Sequence, residues 1–126
     1  MAIRAVLLLS LVLVTTPKAW SADANDLVRV LRSGRCANCR LADADLVHAD
    51  LRDADLQGAE LQRANLGQAR LDGADLKGAD LSFTSLNGAS LRGADLRGSR
   101  LYGTDLRNSD LSGALLDPGS LEQSHW

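Results

Sequence analysis

The sequence predicts an all-β solenoid, and three observations carry that prediction. Leucine recurs at a spacing of five residues, with seventeen consecutive occurrences from Leu41 to Leu121. A small residue, usually Ala, stands two positions before each leucine, and Asp or Asn usually stands one position before it. Glycine stands two positions after the leucine in eight of these repeats. The repeating unit is therefore Ala-Asp-Leu-x-Gly.

A period of five residues does not suit either regular element. On an α-helix, residues five apart are rotated by about 140°, so the leucines would scatter around the cylinder. On a flat strand an odd spacing sends successive leucines to opposite sides. A chain that turns a corner every five residues directs each leucine, and the small residue two before it, to one axis. Such coils stack at strand spacing into a solenoid, with glycine suited to the corners.

This motif resembles the A(D/N)Lxx repeat of the pentapeptide repeat family, over roughly residues 37–121. The resemblance implies a right-handed β-helix of square cross-section, with four repeats to a coil and therefore about four coils. It also implies a non-enzymatic protein, since many members of the family have no assigned biochemical activity. Some members imitate DNA and bind DNA gyrase, which makes inhibition of a DNA-handling enzyme the alternative function.

The first 21 residues read as a secretory signal peptide. Arg4 provides a positive start, and residues 5–14 form an apolar run in which only Ser10 is polar. Small residues precede two candidate cleavage positions, after Ser21 and after Ala24, of which we expect the first. An uncleaved anchor is the alternative, but the run is about half of the ~20 residues that span a bilayer.

Residues 22–36 are predicted to contain a short capping helix and its junction with the repeats. Asn25 or Asp23 can cap the start of the helix, and Gly34 suits the position beyond its end. Its apolar residues, Leu27, Val30 and Leu31, are expected to share one face that covers the first coil. A helix that binds a partner is the alternative. At the other end, residues 122–126 form a predicted tail, and Leu121 and Trp126 are expected to cover the last coil.

The two cysteines, Cys36 and Cys39, lie at the start of the repeats. Counting back from Leu41, Cys36 occupies a leucine position and Cys39 a small-residue position, so both should point inward. In an oxidising compartment the simplest interpretation is a structural disulfide. A redox-active pair and a metal site are alternatives. A c-type haem would need His where Arg40 stands, and the only two histidines, at 48 and 125, lie at opposite ends of the predicted rod.

Residues 20 apart should stack in columns on the outside of the rod. Two features follow from this. Arg52, Asp72 and Arg92 should form a ladder of alternating charge, and Phe83 and Tyr102 should lie on the same side of adjacent coils. The aromatic pair is a candidate contact site for a protein partner, or else fills a surface gap.

Composition and charge narrow the function further. The chain of 126 residues is only 3% aromatic and has a net charge of −2. Removal of residues 1–21 leaves 12 basic and 16 acidic residues, a net charge of −4, which disfavours binding to nucleic acid or anionic lipid. We find no motif for catalytic residues, a cofactor or a metal. The sequence therefore predicts an exported scaffold for an unknown protein partner, in the periplasm, outside the cell, or in the thylakoid lumen of a photosynthetic source.

Overall fold

A computed structural model describes residues 21–126, so the predicted signal peptide lies outside the described residues except for Ser21. The described chain contains one helix, α1 (Ala24–Ser33), followed by fourteen isolated parallel β-bridges. Each bridge joins a residue to the one 20 positions further on, as in Arg35 with Asp55 and Asp75 with Asp95. Four repeats therefore make one coil, as predicted. The right-handed sense of the coil stays a prediction from the family resemblance.

Each of the sixteen repeats from Cys36 to Gly113 turns through one β-turn that starts at the inward residue. In the repeat of Leu71, the N–H of Ala74 donates to the carbonyl oxygen of Leu71 at 3.0 Å. The third residue of the turn has a positive φ in each of the sixteen repeats from Cys36 to Gly113, which is the requirement of a type II turn. Glycine occupies eight of these sixteen positions and other residues occupy the remaining eight. The glycine that recurs two positions after the leucine therefore lies at the third position of the turn.

The backbone N–H groups of a repeat are almost all bonded to backbone carbonyls. In residues 76–80, four N–H groups donate to the carbonyl oxygens of Asp95, Arg97, Leu76 and Ala59, at 2.8, 3.1, 3.0 and 2.9 Å. The remaining N–H belongs to Lys77, and it donates to the Asp75 carboxylate at 3.2 Å. The same bond, from the residue after the leucine to the Asp or Asn before it, occurs in nine repeats. The Asp or Asn side chain therefore accepts the one backbone N–H of each repeat that has no carbonyl partner in the neighbouring coils.

The interior is a continuous stack of leucine and small residues. From Leu41 to Leu106 each leucine of the period is at most 3% exposed, whereas Leu111, Leu116 and Leu121 are only partly buried. Alanine fills most of the small positions. Thr84 and Thr104 are also fully buried, and their hydroxyls donate to carbonyl oxygens of the preceding coil at 2.7 and 2.8 Å. The rod is filled along its axis.

Helix α1 covers the first coil, as predicted. Asp23 is the N-cap, with its carboxylate accepting the N–H groups of Asn25 and Asp26, and Gly34 ends the helix in the left-handed conformation. Val30 is buried and Leu27 is partly buried against the core. The prediction for Leu31 was wrong, because its side chain is 54% exposed. The stripe of α1 that packs against the coil extends only to Leu27 and Val30.

The far end of the rod has no comparable helix among the described residues. The carboxylate of Asp117 accepts the Gly98 N–H at 2.6 Å, in place of a carbonyl of the next coil. The chain then re-enters the register, since His125 bridges to Asp105. Leu121 packs partly against the core, but Trp126 is 62% exposed, so the prediction that it covers the last coil was wrong. The last coil is closed by the chain's own return rather than by an aromatic lid.

Helix α1 has only ten residues, and the part of the chain that the structure describes holds no helix long and apolar enough to cross a bilayer.

Candidate functional site

The aromatic pair forms one contact across adjacent coils, as predicted. The ring centroids of Phe83 and Tyr102 lie 5.3 Å apart with the planes at 86°, an edge-to-face arrangement. The Phe83 N–H donates to the Tyr102 carbonyl oxygen at 2.9 Å, so the backbone holds the two residues together. Phe83 is 58% exposed and Tyr102 is 54% exposed. Contact with a partner stays a prediction.

Phe83 occupies a turn position that the fold would fill more easily with glycine. Its φ is +57°, in the left-handed region where a bulky residue is unusual. The ring lies over Gly103, the corresponding turn residue of the next coil, where a Cβ atom would stand only 2.7 Å from two ring carbons. The positive φ of Phe83 places its ring on this edge, and the absence of a side chain at Gly103 leaves room for the ring.

The four edges of the rod differ in what they present. On the edge that begins with Asn38, the turn residues of the next three coils are Gly58, Gly78 and Gly98. The edge that carries Phe83 presents side chains instead, with Asp43 and Arg63 on the two coils before it. Arg63 donates to both carboxylate oxygens of Asp43, at 2.8 and 2.9 Å. We call this edge the side-chain edge (Asp43, Arg63 and Phe83, with Tyr102 in contact with Phe83). Phe83 is its apolar member.

The predicted charge ladder forms only as a weak electrostatic interaction: Asp72 favours the charged forms of Arg52 and Arg92, whose direct ion pairs are with other aspartates. Arg52 pairs with Asp50 at 2.6 Å and Arg92 pairs with Asp110 at 2.6 Å, while Asp72 accepts the hydroxyl of Ser90. Residues on either side of one leucine point to the same side of the chain, because side chains of extended backbone alternate. An arginine two positions after an aspartate therefore reaches it with both nitrogens, as Arg52 does with Asp50.

These arginines lower the pKa of their aspartates. In the Asp95–Arg97 pair, Arg97 Nε and Nη2 donate to the two carboxylate oxygens at 2.9 and 2.6 Å. The hydrogen bonds from the Arg97 side chain lower the pKa of Asp95 to about 2. Arg107 lowers the pKa of Asp105 to about 2 in the same way. The aspartates are thus held in the ionised form, paired, and hydrogen-bonded to the backbone.

The two cysteines form the second candidate site, where the repeat motif is replaced by other residues. Cys36 and Cys39 are joined by a disulfide, and both residues are 0% exposed beneath α1. The Nη2 of Arg29 on α1 donates to Cys39 Sγ at 2.8 Å. Both cysteines belong to the first coil, so the disulfide does not link the helix covalently to the rod. No spacing in the sequence points to Arg29, because its approach to the sulfur depends on how α1 lies across the coil.

The described surface offers no other cluster of reactive groups. Among residues 21–126 there is no group of three or more His, Cys, Asp or Glu side chains placed to hold a metal ion. Shallow depressions lie at the two ends of the rod, one beside Asp23 and Arg40 and another beside Arg107 and Trp126. The aromatic pair and the disulfide are therefore the two candidate sites, and they lie on different coils.

The repeat geometry and the comparisons with known proteins place the chain in one family. The family model for pentapeptide repeats matches residues 35–73 and 74–113, so the chain belongs to the pentapeptide repeat family.

Two solved structures are similar to the chain. A pentapeptide repeat protein from Nostoc Pcc 7120 is 31% identical over 86% of this chain and 98% of its own, with a TM-score of 0.63. A second, from the cyanobacterium Cyanothece 51142, is 22% identical over 81% of this chain and 97% of its own, with a TM-score of 0.53, and shows the fold alone. No curated protein matches the chain.

We predict that Gly103→Ala destabilises the protein more than Gly78→Ala. Both glycines have a positive φ, 65° and 68°, so both variants incur a backbone penalty of about 1 kcal/mol. Only at Gly103 does the new methyl group meet the Phe83 ring, because nothing lies within 4 Å of the Cβ position at Gly78. Overpacking should add about 1 kcal/mol or more at Gly103, measured by urea unfolding. In a Phe83→Ala background the difference should vanish, and its persistence there would contradict the contact.

We also predict that the protein loses stability between about pH 4 and pH 2. The folded-state pKa values of Asp95 and Asp105, about 2, lie below the ordinary aspartate value near 3.9. The stability linked to these groups is therefore present above pH 4 and is lost as the pH falls through the folded values. The urea midpoint should fall over this range, and fall less in the variant Asp95→Asn with Asp105→Asn. An identical pH dependence in the variant and the parent would be inconsistent with this assignment.

Proposed function

We propose that this protein is an exported, non-enzymatic scaffold, a rigid right-handed β-helix that binds another protein through the side-chain edge. The observation that carries the proposal is the Phe83–Tyr102 pair. Both rings are more than half exposed and contact each other, whereas Val47 and Leu115, the other exposed large apolar residues of the coils, are aliphatic. Aromatic residues are the anchors most enriched at the centres of protein interfaces.

The rigidity of the site supports the proposal. A binding surface that is already ordered loses less conformational entropy when a partner docks. Phe83 is fixed by its hydrogen bond to the next coil, by the Tyr102 ring, and by Gly103 below. The backbone on both sides belongs to the coil ladder. The pair is therefore presented in one arrangement on a frame with a filled interior.

The shape of the rod supports a role in binding rather than catalysis. Catalytic groups usually converge in a concave pocket that excludes water. Here the leucine stack fills the interior together with Thr84 and Thr104, and none of the charged side chains among the described residues is buried. Their aspartates are mostly engaged with neighbouring arginines and backbone N–H groups. Such an exterior suits contact with a protein surface.

Export is supported by the sequence and by the disulfide. Residues 1–21 have the charge and apolar run of a signal peptide. The Cys36–Cys39 disulfide is typical of oxidising compartments. The destination is the periplasm or the exterior, or the thylakoid lumen in a photosynthetic source.

The alternative function, imitation of DNA, calls for a long run of uncompensated negative charge. The Asp55–Asp75–Asp95 column is the best candidate on the described surface. Lys77 and Arg97 flank it, at 3.4 Å from Asp75 and 2.6 Å from Asp95. The column is thus partly neutralised, which favours the scaffold.

We expect that the double variant Phe83→Ser with Tyr102→Ser loses a protein partner that the parent captures from the native extracytoplasmic fraction. Trp126→Ser is the matched control, since that ring is equally exposed but lies at the end of the chain. Mass spectrometry identifies the partner and the mature N-terminus, and circular dichroism checks that each variant is folded. Retention of the partner by the folded double variant would refute the contact site. Capture of DNA gyrase from whole cells, with residues 1–21 still attached, would favour the alternative.

A further inference from the structure

The cysteine pair occupies positions that the fold fills elsewhere without cysteine. In the coil below, the corresponding residues are Leu56 and Ala59, and both are as completely buried as the cysteines. The disulfide closes a loop with a sequence separation of only three residues. Such a short loop removes little entropy from the unfolded chain. Neither packing nor chain entropy therefore explains why Cys36 and Cys39 stand here.

Helix α1 supplies a polar partner for each sulfur. The guanidinium of Arg29 donates to Cys39 Sγ at 2.8 Å, and the carbonyl oxygen of Asp26 lies 3.4 Å from Cys36 Sγ. A disulfide sulfur carries no hydrogen, so the contact with Asp26 becomes a hydrogen bond only when Cys36 is a thiol. A guanidinium stabilises a thiolate more strongly than a neutral disulfide sulfur. The helix is thus better matched to the reduced pair than to the oxidised one.

We propose that Cys36 and Cys39 form a redox-active pair, whose reduced form is held under α1 with Cys36 as the thiol and Cys39 as the thiolate. The reaction partner is a dithiol of the thiol–disulfide oxidoreductase class. This inference goes beyond the proposed scaffold function and does not depend on it.

The reduction is a two-electron exchange. One thiolate of the incoming dithiol attacks Cys36 Sγ, the Cys36–Cys39 bond breaks, and its electron pair leaves on Cys39 Sγ as a thiolate. The second thiolate of the partner attacks the mixed disulfide, forms the partner's own disulfide, and releases Cys36. Of the two protons that the partner loses, one binds Cys36 and the other passes to water. Two electrons thus move from the partner to the cysteine pair.

The burial of both sulfurs makes α1 a gate for this exchange. An attacking thiolate reaches Cys36 only when α1 lifts from the coil, because both cysteines are 0% exposed. No covalent bond holds the helix down. Asp26 Oδ2 accepts the Arg40 N–H at 2.9 Å, and the Asp23 N–H donates to the Arg40 carbonyl oxygen at 2.8 Å. The strength of these contacts sets the rate of exchange, whereas Arg29 sets its equilibrium.

The equilibrium is tested on the full mature chain in glutathione redox buffers. Arg29→Met removes the charge and keeps an apolar stem, and Arg32→Met is the control on the same helix. We expect Arg29→Met to shift the equilibrium towards the disulfide by about tenfold, the effect of one hydrogen bond to a charged group. Reduced parent protein should show thiolate absorbance at 240 nm at neutral pH, which Arg29→Met and Cys39→Ser should lack. Equal equilibria for the two arginine variants would overturn the proposal.

The gate is tested by the rate of reduction with dithiothreitol. Asp26 Oδ1 also lies 3.4 Å from Arg29 Nη2, so the gate variant is made in the Arg29→Met background, where that ion pair is already absent. There Asp26→Ala removes the acceptor of the Arg40 N–H, and we expect reduction to be faster by about tenfold. Circular dichroism of the reduced protein should retain both the helix and the coil signal, since the reduced pair is held in place. Loss of the folded signal on reduction would show that the disulfide is only structural, and would overturn the proposal. An unchanged rate in Asp26→Ala would overturn the role of α1 as the gate.

Discussion

The constraint on which the whole structure depends is the stacking of one leucine over the next at an interval of 20 residues. After four turns the chain must point in the same direction about the axis of the rod as it did one coil earlier. Successive coils must also lie apart by the distance between hydrogen-bonded strands. The bridges from Arg35 onwards show that the chain keeps this register through the coils. The other columns follow from it. A small residue is needed beside each leucine because the axis is crowded, and a positive φ is needed at each turn. An aspartate is needed where the ladder leaves one N–H without a carbonyl.

Because the register determines so much, departures from it are informative. Proteins that break local rules at a few positions tend to do so where function requires it. Phe83 adopts a glycine-like backbone conformation and lies on a bare glycine. The cysteine pair replaces a leucine and an alanine and meets a guanidinium at one sulfur. These two departures lie on different coils, so the scaffold and the redox pair can act independently on one frame. A rod of this kind transmits little between distant coils, because each coil contacts only its neighbours.

The sequence predicted the solenoid, the four repeats per coil through the family resemblance, the capping helix and the meeting of Phe83 with Tyr102. These depend on periodicity, which a single chain displays many times over. The wrong predictions concern residues outside the repeats, or side chains whose contacts the repeat does not determine. Leu31 continues the apolar stripe of α1 in the sequence, yet its side chain is exposed. Trp126 follows a return of the chain that no repeat predicts. The columns place Arg52 and Arg92 near Asp72, but their direct ion pairs with Asp50 and Asp110 depend on side-chain reach, which the stacking of columns does not describe. The contact of Arg29 with Cys39 depends on the angle of α1 across the coil and left no signal in the spacing of residues.

The most direct measurement of the central claim is the unfolding free energy of Leu76→Ala compared with Leu31→Ala, both by urea denaturation. Leu76 is 0% exposed in the middle of the stack, whereas Leu31 is 54% exposed on the outer side of α1. If the leucines form a packed interior, truncation at Leu76 should leave a cavity and lower the unfolding free energy by about 2–5 kcal/mol. Truncation at Leu31 should lower it by less than about 1 kcal/mol. Equal, small losses at both positions would contradict the account.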